Sequence, residues 1–275
     1  MIVPVLAKYT VSIGGDLALG GFIVGLQAIT ALFARPFSGA LADNYNMKYI
    51  MVVSSAVTAL MVLCYSLTVS IPLLILFRII HGVAFSISST TNVVFASLFI
   101  PQKRMGEGLG YLGLGYIIAM VISPSVGLAV VDTFGFQGVF ITAAILAGLS
   151  AGLMALMRYR YEKTGRPLEK QAFHLRDFIA VKLIPVSALG GLFSFCNGTI
   201  NSFIAMLGDE RSITNIGLFF TVNSLTLLLI RPLAGKLNDR KGIFFVMIPA
   251  YISYALAMAI FAGADSCGWF WSQPP

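Results

Sequence analysis

Stretches free of Asp, Glu, Lys and Arg run over 17–34, 49–77, 79–102, 108–131, 133–157, 183–208, 212–230 and 242–264. Each reaches or exceeds the roughly 18–20 residues needed to cross a bilayer as a helix. Backbone amides inside lipid must be satisfied within the segment or within a closed barrel, and runs this long do not alternate as barrel strands do. The pattern therefore predicts an all-α polytopic membrane protein. Residues 1–10 are too short to span and read as the outer end of a first helix whose beginning is missing. A Gly-rich turn at Val11–Asp16 leads into the second span. The third is expected at about 49–69, the fourth at 73–99 after Ser70-Ile71-Pro72, and the fifth at 106–130. A turn at Asp132–Gln137 precedes the sixth, which ends near Met157. The remaining three end before Gly208, at the charges that follow Ile230, and near Ala264.

Composition agrees: 58% of residues are hydrophobic and only 11% are charged, less than half the share of a soluble domain. The net charge of +7 raises nucleic acid as a partner, but the placement of the charges speaks against it. When the second span is taken to run inward, the segments 35–48, 101–107, 158–182 and 231–241 share one side and hold 15 of the 18 Lys and Arg. That is the positive-inside bias, and it orients those segments to the cytoplasm. The segment 158–182 is the one real linker, with seven basic residues, three acids and His174. It reads as a solvated tether or as a basic amphipathic helix at 168–180 lying on the inner leaflet. Arg158, Arg160, Lys163 and Arg166 offer a basic face to acidic lipid. Cys64, Cys196 and Cys267 are scattered and have neither metal-ligand nor disulfide spacing. The N-terminus lacks the basic region and cleavage pattern of a signal peptide.

A repeat organises the chain. Arg35-Pro36-Phe37-Ser38-Gly39-Ala40-Leu41-Ala42-Asp43 returns 196 positions later as Arg231-Pro232-Leu233-Ala234-Gly235-Lys236-Leu237-Asn238-Asp239, identical at five of nine positions. Gly21 aligns with Gly217 and Thr30 with Thr226 in the same register. Duplicated helix bundles are how many secondary transporters are built. Gly39 and Gly235 remove side-chain bulk where helices cross closely. Asp43 and Asp239 sit at the negative, carboxyl end of a helix, which calls for a partner such as a basic group or the amino end of another helix.

Three motifs resemble those of the major facilitator superfamily. One is Gly39-Ala-Leu-Ala-Asp43-Asn-Tyr-Asn46-Met-Lys48, and another is its echo Gly235-Lys-Leu-Asn-Asp239-Arg240-Lys241-Gly242. The third is Arg78 with Gly82, similar to the family's Arg-x-x-x-Gly pattern. The resemblance implies two parallel six-helix repeats, incomplete at both ends in this chain: a bundle over 1–157, a cytoplasmic linker over 158–182 and a partial bundle over 183–275. It also implies that Arg35, Gly39, Asp43, Lys48, Gly235, Asp239 and Arg240 form a cytoplasmic gate. Asn44 and Asn46 depart from the family's Arg and Gly and thin the charge network of the first copy. Gly110, Ala119, Ser123-Pro124 and Gly127-Leu128 resemble the antiporter signature with three of its glycines replaced; Pro124 is expected to kink the helix and Gly127 to allow close packing.

Arg78 lies inside a span, where a charge costs at least about 2.5–3.5 kcal/mol, so it either faces the bundle interior or snorkels to the surface. His81 lies three residues on, on the same face. Together they are the candidates for proton coupling, since no Asp or Glu lies at the centre of a span. Gln27, Asn197 and Asn201 are candidates to line a substrate cavity, with interhelical hydrogen bonding as the alternative. The expected function is secondary transport of small molecules by alternating access, proton-driven and outward; an importer, a uniporter or an inactive fragment on the same fold are the alternatives. No catalytic cluster, metal spacing or phosphate loop points to an enzyme or to a cofactor. The expected partners are a small-molecule substrate, membrane lipid and protons. The expected location is the bacterial cytoplasmic (inner) membrane, with 158–182 inside.

Overall fold

A computed structural model describes residues 2–159, 184–210 and 217–263. The amphipathic helix expected at 168–180, most of the linker, Arg211 and the tail after Gly263 lie outside the described residues. Every regular element among the described residues is helical: α1 (Ile2–Ser12), α2 (Leu17–Asn44), α3 (Met47–Leu67), α4 (Ile71–Ser97), a single 3₁₀ turn (Gln102–Arg104), α5 (Met105–Leu156), α6 (Ile184–Glu210), α7 (Gly217–Lys241) and α8 (Phe244–Gly263). Five stretches among them are long and apolar enough to cross a bilayer: Leu17–Asn44, Met47–Leu67, Ile71–Ser97, Gln102–Ser123 and Val126–Leu156.

Helix ends follow local chemistry. The Asp16 carboxylate accepts from the Leu19 amide at 2.6 Å and starts α2. Asn46, which replaces a family glycine, starts α3 by accepting from the Lys48 amide at 3.0 Å. Its neighbour Asn44 donates to the Ala40 carbonyl at 2.8 Å and closes α2. Both repeat motifs lie inside helices rather than in loops after them: α2 and α7 continue through Pro36 and Pro232 to Asn44 and Lys241. The turn expected at Asp132–Gln137 shrinks to one residue. Gly135 (φ 67°, ψ −174°) occupies a region essentially closed to other residues and breaks α5 into two arms. The backbone keeps helical dihedrals through Pro124.

The chain forms two compact units, one of residues 1–99 and 118–179, the other of 100–117 and 180–275. In the first, α2 packs along α4, α3 along α4 and α1 along α2. The core gathers Leu6, Tyr9, Ile23, Val62, Tyr65, Leu74, Phe140 and Ala144. Phe140 sits edge-on to both Tyr9 (5.0 Å) and Tyr65 (5.7 Å), joining three helices through one ring. The Tyr9 hydroxyl donates to the Thr68 carbonyl and ties α1 to the α3–α4 turn.

The partition of polarity identifies the solvent. Leu17, Phe33, Leu67 and Leu156 are 73–80% exposed, whereas Arg78, Thr10, Ser38 and Ser86 are almost fully buried. Water would not tolerate that arrangement over so many residues, but lipid favours it, because each buried polar group needs a protein partner and each outer leucine needs none. The chain is an integral membrane protein.

Candidate functional site

In the second unit, the motif of α7 meets the amino end of α5. The Asp239 carboxylate accepts from the Gly106 amide at 2.7 Å and from the Glu107 amide at 2.8 Å, one oxygen on each. These amides belong to the first turn of α5, whose N–H groups have no carbonyl one turn back to bond. The carboxylate thus supplies the missing acceptors and lies at the positive end of the α5 dipole. Asp239 is poorly placed on its own helix and well placed on its neighbour. Gly242 (φ 86°) follows, its amide bonding to the Asn238 carbonyl at 2.8 Å to end α7.

Two glycines make the approach possible. A methyl at Gly106 would lie 2.7 Å from the Gly235 carbonyl oxygen, and one at Gly235 would overlap the Gly106 carbonyl and come within 2.9 Å of the Glu107 Cα. Both obstacles are backbone and cannot move aside. Glu107, 8% exposed, adds charge beside the junction: it pairs with Arg104 Nε at 3.0 Å and with Lys236 Nζ at 3.3 Å. Arg231 Nη1 donates to the Gly113 carbonyl at 3.2 Å, two turns further along α5.

The first copy of the motif is arranged differently. Arg35 and Asp43 are exposed and, among the described residues, make no ion pair or side-chain hydrogen bond. A methyl at Gly39 would meet no atom within 4 Å. Lys48 and Gly39 are half-buried, and Arg240 in the second copy is exposed. Ser38 and Ala42 of the first copy are drawn inward, and Ser38 shares a 3.0 Å hydrogen bond with Ser86 of α4. Among the described residues, the second copy is engaged through Asp239, Gly235 and Arg231, and the first copy makes no such contact through Asp43, Gly39 or Arg35.

A second polar constellation lies between α2 and α4 in the first unit. Arg78 is 1% exposed, so it does not snorkel. Its Nε donates to the Ile23 carbonyl at 3.1 Å and its Nη2 to the Val24 carbonyl at 3.1 Å. Helical carbonyls have a second lone pair, and Arg78 uses two of them without breaking the α2 ladder. A methyl at Gly82 would stand 2.8 Å from the Thr30 Cβ and 3.0 Å from the Gln27 carbonyl oxygen, so the glycine one turn on sets the spacing that Arg78 bridges. His81 is buried and shares a hydrogen bond with the Tyr65 hydroxyl at 2.9 Å, through Nδ1.

Gln27, half-buried, belongs to the first unit; Asn197, half-buried and engaged in an interaction, and Asn201 belong to α6 of the second. Gly127 is buried in α5, which Pro124 also shares. An apolar groove on the far arm of α5, lined by Leu146, Leu149, Ser150, Leu153, Met154 and Met157, involves none of these residues.

A membrane protein whose described elements are all helices, with a charged motif duplicated at the ends of α2 and α7, defines a polytopic protein of internally repeated design. The family model of the Major Facilitator Superfamily matches residues 1–273, and the chain belongs to that superfamily. It is similar to the multidrug resistance protein MdtG of Enterobacter lignolyticus (strain SCF1), with 25% identity over 94% of this chain and 65% of that protein. The MdtG of Citrobacter koseri is also 25% identical, over 94% of this chain and 67% of its own length. That of Escherichia coli (strain K12 / DH10B) is 23% identical, over 94% and 66%. The chain spans about two thirds of the length of these relatives.

Proposed function

We propose that the chain acts in secondary transport of small molecules by alternating access, with the Asp239–α5 junction as a clasp that closes in one state and opens in the other. The observation that carries this reading is the pair of amides at the amino end of α5 held by one carboxylate of α7. Such a contact is strong when aligned and is lost over a short displacement, because both hydrogen bonds and the dipole term depend on the same approach. It can therefore stabilise one of two discrete arrangements, which alternating access requires. Arg35, Gly39, Asp43 and Lys48 are assigned the corresponding role at the first copy, with 1–157 and 183–275 as the two repeats.

Outward, proton-driven movement is the direction proposed, and drugs are the solute class suggested by the designation of the relatives as multidrug resistance proteins. Arg78 and His81 are the proton-coupling candidates, Gln27, Asn197 and Asn201 the solute contacts, and the bacterial inner membrane the location, with 158–182 cytoplasmic. Proteoliposomes carrying the chain test this with a panel of lipophilic fluorescent dyes, with and without an imposed proton gradient. Gradient-driven dye movement that disappears in Asp239→Asn is the expected result. Movement down the dye gradient alone would establish a uniporter instead, and no movement of any dye would overturn transport by this chain.

A further inference from the structure

The amino-terminal arm of α5 presents glycine at 106, 110 and 113, spacings of four and three that place all three on one helical face. That face is the one covered by α7. Gly106 meets Gly235; a methyl at Gly110 would lie 3.1 Å from the Arg231 carbonyl oxygen and 3.5 Å from the Pro232 Cα. A methyl at Gly113 would lie 2.5 Å from Cζ and Nε of the Arg231 guanidinium. Seven residues of α5 separate Gly106 from Gly113, and eight of α7 separate Asp239 from Arg231. Two turns of one helix thus run antiparallel to two turns of the other, with a polar contact at each end. Asp239 holds the helix terminus, and Arg231 holds a carbonyl inside it at 3.2 Å.

We propose that Arg231 is a second positioning residue of the clasp: by holding the Gly113 carbonyl across the glycine face of α5, it fixes the register in which Asp239 reaches the helix end. A helix pair in contact through glycine alone has little to prevent sliding, since a flat face offers no knobs to interlock. One terminal contact fixes a point but not a direction. A second contact two turns away fixes both. Glycine at 113 leaves room for the guanidinium, which any Cβ there would displace; Arg231 and Arg35 are both exposed, but Arg35 holds nothing among the described residues.

The inference deepens the clasp reading, but its test does not depend on transport, so the two can fail separately. In membranes, Lys103→Cys and Arg240→Cys are introduced into a chain whose Cys64, Cys196 and Cys267 are replaced by Ser. Both positions are exposed, and the 3₁₀ turn carrying Lys103 packs against α7. The rate of joining by a short bis-maleimide reads how often the clasp is formed. Arg231→Ala is expected to lower that rate by about tenfold, as for loss of one hydrogen bond to a charged donor. Gly113→Ala is expected to lower it by a similar factor, and Arg231→Lys to restore part of it. The decisive variant is the double one. Because the added methyl acts by displacing the guanidinium, Gly113→Ala together with Arg231→Ala is expected to be no slower than Arg231→Ala alone. Multiplicative losses in the double variant, or an unchanged rate in Arg231→Ala with normal membrane insertion, would overturn the assignment.

Discussion

Replacing Asp239 removes the contact on which the clasp depends, and its size follows from the geometry. Two charge-assisted hydrogen bonds, at 2.7 and 2.8 Å, are lost. Each contributes about 1.5–3 kcal/mol, and the helix-end interaction adds about 0.3–1 kcal/mol. The junction is only part-buried, so the freed amides regain water, and screening lowers the total to roughly 2–4 kcal/mol. At 1.4 kcal/mol per decade this shifts the closed-to-open ratio by roughly 30- to 700-fold. A clasp closed about 97% of the time would then be closed about half the time or less. Asp239→Ala should show the full effect. Asp239→Asn should show a comparable one, because its amide nitrogen turns a donor toward one of the two N–H groups. Spin labels at positions 103 and 240 in lipid nanodiscs report the change as a second, longer distance. A single unshifted distance in Asp239→Ala, in protein that inserts normally, would show that the Asp239 contact does not hold the clasp closed.

Three further outcomes are expected. Gly82→Ala sets a methyl against the Thr30 Cβ and the Gln27 carbonyl and should cost about 1–3 kcal/mol, read as a lower melting temperature in detergent; an unchanged midpoint would show that α2 and α4 can part freely. Arg78→Met replaces a buried guanidinium by an apolar chain of similar length and should change stability by less than about 1 kcal/mol while abolishing gradient-driven dye movement. A large loss of stability would make Arg78 a structural brace. Asp43→Ala should leave the 103–240 distance unchanged while stopping transport, and wild-type rates would remove the first motif copy from the gate.

Hydropathy runs made the helices legible, because runs too long and unalternating for barrel strands leave the helix as the element that satisfies its backbone in lipid, and helix length follows directly from bilayer thickness. The repeat made the two acidic helix ends legible, and the dipole argument named the kind of partner that Asp239 meets. What the sequence hid was the partner itself. Gly106 and Glu107 lie 133 and 132 residues from Asp239, and Glu107 reads as one more charge in a basic loop. The 106/110/113 glycine spacing was the available signal; among 27 glycines it does not stand out until α7 is seen lying on it. The α5 break falls inside the turn expected at Asp132–Gln137. Proline inside a lipid helix keeps helical dihedrals, whereas the positive φ at Gly135 cannot continue a helix. Asn44 and Asn46 set the first motif copy apart by its thinner charge network, but the packing of the two glycines could not be read beforehand. Gly235 faces backbone and Gly39 faces open space.

The clasp as a moving part is tested most directly by single-molecule distance measurement between fluorophores at 103 and 240 in liposomes, with a transported dye and a proton gradient applied together. If the junction is a gate, each molecule alternates between a short and a long distance, and the gradient changes the time spent in each. One short distance, held throughout while dye crosses the membrane, would mean that the Asp239–α5 contact is a fixed brace and that transport proceeds without opening it.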